Sequence, residues 1–240
     1  MIPQWQTGIV TRIEQVTNNT RRYWVTLQET STFTFTPGQF VTLDLPIHEQ
    51  RNKRWRSYSI ASMPDESNII ELVIVYVEGG LASKYIFEEI KEGSSFTLRG
   101  PQGIFVLPQN DLLTKDIYLI CTGTGIAPFR SMLHYINYHQ LPHKQIDLLF
   151  GTRKRTDLLY ADDMRELERM LPAFTYRPVL SREEWEGDTG YVHAIYEKLC
   201  VNRQPAYFML CGWRAMIDEA KERILKMGYD KKDIHIEIYG

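Results

Sequence analysis

The chain has 240 residues, with 28 Lys+Arg against 30 Asp+Glu and a formal charge of −2, enough for one large domain or two ordinary ones. Near-balanced charge argues against a general nucleic-acid binder, and 43% hydrophobic with 24% charged residues excludes wholesale disorder. The longest apolar runs, such as Leu72–Val77, are about six residues, far from the ~20 that span a bilayer as a helix. Cys121, Cys200 and Cys211 are too few and too scattered for a disulfide framework or a four-cysteine cluster. The start, Met1-Ile2-Pro3-Gln4-Trp5, lacks a basic segment followed by an apolar one, so no secretory signal is read there. The expectation is a cytoplasmic protein with no membrane span and no nucleic-acid partner.

In chain order, β-type runs come first: Gly8–Gln15, Thr20–Leu27, Gln39–Leu45, Trp55–Ile60, Ile69–Val77 and Ser95–Arg99. Turn signals at Pro37-Gly38, Pro64-Asp65, Gly79-Gly80 and Gly100-Pro101 separate them, a pattern that predicts an antiparallel β-barrel. One helix interrupts the run, Leu81–Ile90, with Leu81, Tyr85, Ile86 and Ile90 at helical period. From Asp116 the pattern alternates: strands at Ile117–Cys121, Ile146–Phe150, Phe174–Leu180, Tyr207–Cys211 and Ile234–Ile238, and helices at Pro128–His139, Ala161–Leu171, Val192–Cys200 and Arg214–Met227. Alternation of this kind predicts an α/β doubly wound parallel sheet with ligands at the carboxyl ends of its strands. The polar stretch Pro108–Lys115 places the boundary, giving domains at residues 1–111 and 112–240.

Three stretches carry chemistry. Thr122-Gly123-Thr124-Gly125-Ile126-Ala127-Pro128 follows an apolar strand and opens a helix, where main-chain N–H groups can meet a pyrophosphate; a tight turn without a ligand fits the same spacing. Arg56-Ser57-Tyr58-Ser59 lies on a strand, so Arg56 and Tyr58 share one face and Ser57 and Ser59 the other. A cation and a stackable ring on one face suit a nucleotide-like ligand, and an ordinary solvent face gives the same alternation. Cys211-Gly212-Trp213-Arg214-Ala215-Met216 puts a thiol at a strand end facing the usual ligand crevice; a small core residue is the plainer explanation of that cysteine.

Taken together and in order, these stretches resemble the ferredoxin–NADP+ reductase superfamily across nearly the whole chain. Pro37-Gly38-Gln39-Phe40, Arg56-Ser57-Tyr58-Ser59, Gly80-Leu81-Ala82-Ser83, Gly100-Pro101-Gln102-Gly103-Ile104-Phe105, Thr122–Pro128 and Cys211-Gly212 with Met216 resemble that superfamily's successive motifs. The resemblance implies an FAD-binding barrel, FAD being favoured over FMN, and a NADP-binding α/β domain, with NADPH as co-substrate and NADH as the alternative. It implies that Arg56 pairs with the flavin's phosphate, with Ser57 beside it in the same motif. Tyr58 stacks on the isoalloxazine and Ser59 hydrogen-bonds near N5. Val73, Ile74 and Val75 line the flavin edge, and Gly80, Leu81, Ala82 and Ser83 hold its pyrophosphate. On the nucleotide side it implies Gly123, Thr124, Gly125 and Ile126 around the pyrophosphate, with Thr124 between the two rings. Cys211, with Gly212 and Met216, faces the nicotinamide, and Arg153, Ser181 and Arg182 receive the 2′-phosphate.

Glu237-Ile238-Tyr239-Gly240 resembles the Glu-x-Tyr ending whose ring covers the flavin, which makes Ser59, Cys211, Glu237 and Tyr239 the catalytic candidates, Glu237 as a proton relay. A final strand with Ile234, Ile236 and Ile238 buried fits the same residues. The implied activity is hydride transfer from NADPH to FAD and single-electron delivery to a separate carrier such as ferredoxin or flavodoxin, by a monomer. Arg51, Lys53, Arg54 and Arg56 could steer an acidic carrier. Two other classes remain: an NADH-linked reductase component of a multi-protein oxygenase, and a non-catalytic flavoprotein subunit or redox sensor. The histidines show no metal-ligand spacing, and the plant-type iron–sulfur cysteine run is absent from the sequence, so no metal site is expected.

Overall fold

The computed structural model describes residues 4–239 and separates the chain into two compact units. One runs to Val106 and takes in Arg130–Tyr135; the other holds Leu107–Phe129 and the residues from Ile136 onward. Met1, Ile2, Pro3 and Gly240 lie outside the described residues, and with them the first residues of the signal-sequence reading and the residue after Tyr239.

The first unit is a six-stranded antiparallel sheet. Its strands are β1 (Trp5–Thr17), β2 (Thr20–Leu27), β3 (Phe40–Asp44), β4 (Trp55–Ser59), β5 (Ile69–Val75) and β6 (Ser95–Gln102), with helix α1 (Leu81–Glu89) before the last. They pair in the order β4-β3-β6-β1-β2-β5. The two edges meet through an antiparallel bridge between Ile60 and Leu72 and a hydrogen bond from Ala61 N–H to the Glu71 carbonyl of 2.8 Å, which curls the sheet into the expected barrel. Alternation does the sorting: Tyr23, Val25 and Leu27 of β2 are fully buried with Val41, Leu43 and Leu98 of the neighbouring strands. On α1 the buried stripe is Ala82, Ser83 and Ile86, continued by Ile90, while Leu81 is 58% exposed. The sequence reading had Leu81 in that stripe; its place at the first helical position turns it outward instead.

Two turn motifs of the barrel are tied together by Gln39. Its Nε2 donates to the Gly103 carbonyl at 3.2 Å and its Oε1 accepts from Thr36 N–H at 2.8 Å. Gly38, with φ of +101°, completes that turn, and a Cβ there would overlap the Phe105 carbonyl oxygen and lie 3.1 Å from its carbon.

The second unit is parallel throughout. Its strands are β7 (Asp116–Thr122), β8 (Ile146–Thr152), β9 (Phe174–Leu180), β10 (Asp188–Thr189), β11 (Ala206–Trp213) and β12 (Ile234–Tyr239). Between them lie α2 (Ile126–His139), α3 (Ala161–Met170), α4 (Val192–Leu199) and α5 (Arg214–Lys226). The order β10-β9-β8-β7-β11-β12 grows from β7 in both directions, the mark of a doubly wound sheet, and the direction of winding switches between β7 and β11. Every residue of Ile117–Cys121 is buried, so both faces of the central strand are covered. Tyr118, Ile120, Phe208 and Leu210 meet Val192 and Tyr196 of α4 and Ile217, Ala220 and Ile224 of α5.

The two-residue strand β10 was not expected, being too short to leave a pattern. Helix α2 starts at Ile126 rather than Pro128, because a 3₁₀ turn at Gly123–Gly125 runs directly into it. On β12, Ile234 and Ile238 are only partly buried against the core and Ile236 is 37% exposed, so the reading of three buried isoleucines is corrected to two half-buried ones and one exposed. The strand pairs with β11 alone, and as an edge it leaves part of that face to solvent.

Gly38→Ala is expected to lower stability by about 2–3 kcal/mol, because both the backbone region and the space exclude a side chain; calorimetry should show a fall of roughly 4–10 °C in the melting temperature. A second expectation concerns His193, buried on α4 with Nδ1 3.0 Å from the Tyr196 hydroxyl and Nε2 3.4 Å from Glu219. Burial lowers its pKa, outweighing the opposing pull of Glu219. The unfolded chain, at about 6.5, therefore binds this proton more tightly than the folded one. The stabilisation is complete above about pH 6.5 and is lost as pH falls toward the lowered folded value. Urea midpoints at pH 7.5 and 5.5 should differ more in the wild type than in His193→Gln.

Candidate functional site

In the first unit the flavin candidates lie on β4, β5 and the start of α1. Tyr58 packs against the barrel core, and burial pushes its phenol above the usual range. Ser59 is buried at the end of β4. Arg56 is exposed and donates from Nη1 to the Lys53 and Trp55 carbonyls at 3.1 and 2.8 Å. No carboxylate pairs with it among the described residues, so the cation is available to an anion. Ser57 sits on the other face, its Oγ 3.3 Å from Thr42 Oγ1. Val73 and Ile74 are buried and Val75 is half-buried.

Helix α1 begins after Gly80 with no side-chain cap, so the N–H groups of its first turn have no partner inside the helix. A Cβ on Gly80 would come within 2.9 Å of Ser83 Oγ and 3.0 Å of the Val77 carbonyl oxygen. Ser83 is buried, and its hydroxyl accepts from Val77 N–H at 3.0 Å and lies 3.1 Å from the Val77 carbonyl. Its hydroxyl thus braces the turn that presents the N–H groups of Leu81 and Ala82. An uncapped helix start, an unpaired guanidinium and a half-buried ring fit a flavin carrying a pyrophosphate.

In the second unit the candidates gather at the switch point. Gly123, with φ of +54°, and Gly125 frame the 3₁₀ turn around Thr124. Ile126 N–H is taken by the Gly123 and Thr124 carbonyls. A Cβ on Gly125 would lie 2.7 Å from the Cys211 carbonyl carbon and 3.0 Å from Gly212 Cα; one on Gly212, at φ of +139°, would lie 2.5 Å from Thr122 Oγ1. The ends of β7 and β11 therefore touch backbone to backbone, which only glycine permits. Thr122 adds a brace that sequence reasoning missed, its Oγ1 accepting from Trp213 N–H at 3.4 Å.

Cys211 and Cys121 are register partners on β11 and β7, and Glu237 is the register partner of Cys211 on β12. In a parallel pairing such partners share a face. Both thiols are fully buried, and burial first, then Glu237 and Cys121, pushes the Cys211 thiol well up, with the Tyr239 hydroxyl pulling the other way. Cys211 is therefore a protonated thiol. Met216 lies half-buried on α5, against the sheet core.

At the other arm of the sheet, Arg182 N–H donates to the Arg153 carbonyl at 3.0 Å, which places the two arginines side by side at the ends of β8 and β9. Ser181 is beside them, its hydroxyl donating to the Thr152 carbonyl at 3.2 Å. Neither Arg153 nor Arg182 has a carboxylate partner among the described residues. Glu183, directly after them, accepts from Arg155 N–H at 2.9 Å, and Glu186 pairs with the Arg155 guanidinium.

These are the halves of an oxidoreductase that binds a flavin on a barrel and a pyridine nucleotide on a doubly wound sheet, and comparison with known proteins agrees. Residues 7–107 match the oxidoreductase FAD-binding domain family and residues 119–222 the oxidoreductase NAD-binding domain family. A ferredoxin–NADP reductase B of Sorangium cellulosum is 33% identical over 216 residues, covering 86% of this chain and 86% of that protein. The electron transfer component of anthranilate 1,2-dioxygenase from Acinetobacter baylyi is 28% identical over 89% of this chain, which spans 61% of its length. Among solved structures, an Amycolatopsis cytochrome P450 reductase superposes with a TM-score of 0.88 at 26% identity, covering 98% of this chain and 70% of that one. A ferredoxin NADP+ reductase from Neisseria gonorrhoeae with bound FAD and NADP has the same fold, with a TM-score of 0.82 at 23% identity and 98% of each chain covered. The chain belongs to the ferredoxin–NADP reductase family of flavin-dependent oxidoreductases.

Gly125→Ala would drive a methyl group into the Cys211 main chain. Reduction of the bound flavin by pyridine nucleotide is expected to slow at least about tenfold as the loop shifts, with the flavin content of the purified protein unchanged.

Proposed function

We propose that this protein, with a flavin domain at residues 1–111 and a pyridine-nucleotide domain at 112–240, oxidises NADPH and passes single electrons to a separate ferredoxin or flavodoxin. The observation that carries the choice of NADPH is the pair Arg153 and Arg182, joined through the main chain and free of carboxylates among the described residues. A phosphate monoester calls for such donors, whereas an NAD site uses an acidic side chain to accept from the ribose hydroxyl. Glu183 stands in the right stretch for that acceptor, but its carboxylate is engaged by Arg155 N–H.

Bound FAD supplies the junction between two-electron hydride chemistry and one-electron delivery. The protein's own residues bind and orient. Arg56 and the start of α1 hold the flavin's phosphates, Tyr58 packs along its ring, and Ser59 offers a hydroxyl toward N5. Gly123, Thr124, Gly125 and Ile126 seat the nucleotide's pyrophosphate. Cys211, kept protonated by burial, offers the nicotinamide a neutral, polarisable wall, with Glu237 as its register partner and Tyr239 opposite Trp213 two residues further along. Of the basic run near β4, Arg51 and Arg54 pair with Asp44 at 3.4 and 2.8 Å and Arg56 is committed to the flavin's phosphates, so Lys53 is the cation left to attract an acidic carrier.

A second reading, the NADH-linked reductase of an oxygenase system, is favoured by the names of several relatives, among them the phenol hydroxylase P5 protein of Acinetobacter pittii. The chain spans 57% of that relative and 68% of the naphthalene 1,2-dioxygenase reductase component of Pseudomonas putida. The three cysteines present are buried and free, so under either reading the iron–sulfur centre belongs to another polypeptide or another part of the system.

Stopped-flow bleaching of the flavin band separates the readings. NADPH should reduce the flavin faster than NADH at equal concentration. Arg182→Ala should weaken NADPH at least about tenfold, as expected for a lost charge-assisted bond, and leave NADH unchanged. A preference for NADH would replace the first reading with the second.

A further inference from the structure

The last residue of β11, Trp213, is 51% exposed at the switch point. A large apolar ring left in solvent at the ligand-binding end of a doubly wound sheet invites a reason. Its main chain is fixed, since the N–H donates to Thr122 Oγ1 across to β7. Its side chain reaches back over the first glycine of the loop: a Cβ built on Gly123 would find a single atom within 4 Å, Trp213 Nε1 at 3.8 Å. The space above Gly123 is thus open and bordered by an indole N–H, and that N–H makes no hydrogen bond among the described residues.

The loop needs such a donor. Ile126 N–H is already taken by the Gly123 and Thr124 carbonyls, and Pro128, the third residue of α2, has no N–H to give. An anion seated there meets fewer main-chain donors than a helix start ordinarily supplies. A separate observation comes from the next residue. Arg214 opens α5, which has no acidic residue in its first turn and no side-chain cap. Arg214 is exposed and without a carboxylate partner among the described residues. A cation at a helix N-terminus opposes the macrodipole, and a bound anion removes that conflict.

Resting on the reading that a pyridine nucleotide occupies this switch point, we propose that Trp213 is a nucleotide-binding residue whose indole N–H donates to the pyrophosphate over Gly123, with Arg214 adding charge from the start of α5. The ring then covers one side of the bound pyrophosphate, and nucleotide and protein share a contact that depends on an N–H rather than on apolar area alone.

The test is binding of unreactive NADP+ by isothermal titration calorimetry to the flavin-loaded protein, in the wild type, Trp213→Phe and Arg214→Gln. Phenylalanine keeps an aromatic ring and removes the N–H. Its dissociation constant for NADP+ should rise at least about tenfold, the effect of losing a hydrogen bond to a charged group, and Arg214→Gln should weaken binding by a smaller factor. Adenosine 2′-monophosphate lacks the pyrophosphate and should bind wild type and Trp213→Phe equally. The difference in tryptophan fluorescence between those two proteins should also be quenched by NADP+. A Trp213→Phe affinity within twofold of the wild type overturns the inference, as does equal weakening of NADP+ and adenosine 2′-monophosphate. Failure of the wild type to bind either NADP+ or NAD+ would instead remove the proposed function itself.

Discussion

The structure turns on the approach of two backbones at the middle of a parallel sheet. Gly125 lies against the Cys211 carbonyl and Gly212 against Thr122, so the turn after β7 and the turn after β11 share space that a single methyl group would fill. Much of the nucleotide half follows from this contact. It sets the height of the Gly123–Gly125 turn, puts the start of α2 at the level of the strand ends, and leaves Cys211 enclosed. The same crowding explains why the chain approaches at glycines here and uses bulky aliphatics one layer below, where Ile120 and Leu210 face α4 and α5. The switch point is both the tightest place in the sheet and the place where a ligand has access, because the helices on its two sides diverge from it.

A second set of constraints is electrostatic and lies along the ends of β8 and β9. Two arginines are joined by a main-chain hydrogen bond while two nearby acids, Glu183 and Glu186, meet a third arginine through its N–H and its guanidinium. Arg155 also lies over the Trp185 ring, 5.5 Å from its centroid. The Arg155 guanidinium offsets Glu186, while Glu183 is held in place by a main-chain N–H and keeps its charge, so Arg153 and Arg182 present their guanidiniums without a direct carboxylate partner among the described residues. Charge balance across the chain says nothing of this; the arrangement depends on which acid meets which base.

Much of the fold was legible because its patterns are long and regular. The strand–helix alternation from Asp116 onward needed only apolar period and turn residues, which sufficed for a doubly wound parallel sheet but not for the order of its strands. What escaped was local. Two residues of β10 carry no periodicity, the outward turn of Leu81 depends on where α1 begins, and the exposure of Ile236 depends on β12 being an edge. At the site, motifs identified Arg56, Tyr58, Gly125 and Cys211 as candidates, and the structure sets each in a distinct environment. The roles of Thr122, Glu183 and the hydroxyl of Ser83 could not be read in advance, since each acts through hydrogen bonds to a main chain distant in sequence or across a turn.

The barrel's closure has a consequence for how the protein keeps its flavin. Strands β4 and β5 are the two ends of the sheet order, and between them stand one bridge and the Ala61–Glu71 bond. The strand that carries Arg56 and Tyr58 is therefore the seam of the barrel, held on one side by β3 and on the other through Ile60, Ala61 and Ser62 just past its end. A flavin seated on Arg56 and Tyr58, as proposed above, would work as a stitch across that seam. Loss of the group and loosening of the barrel then become one coupled event, and retention of the cofactor is a property of the folding equilibrium as well as of binding.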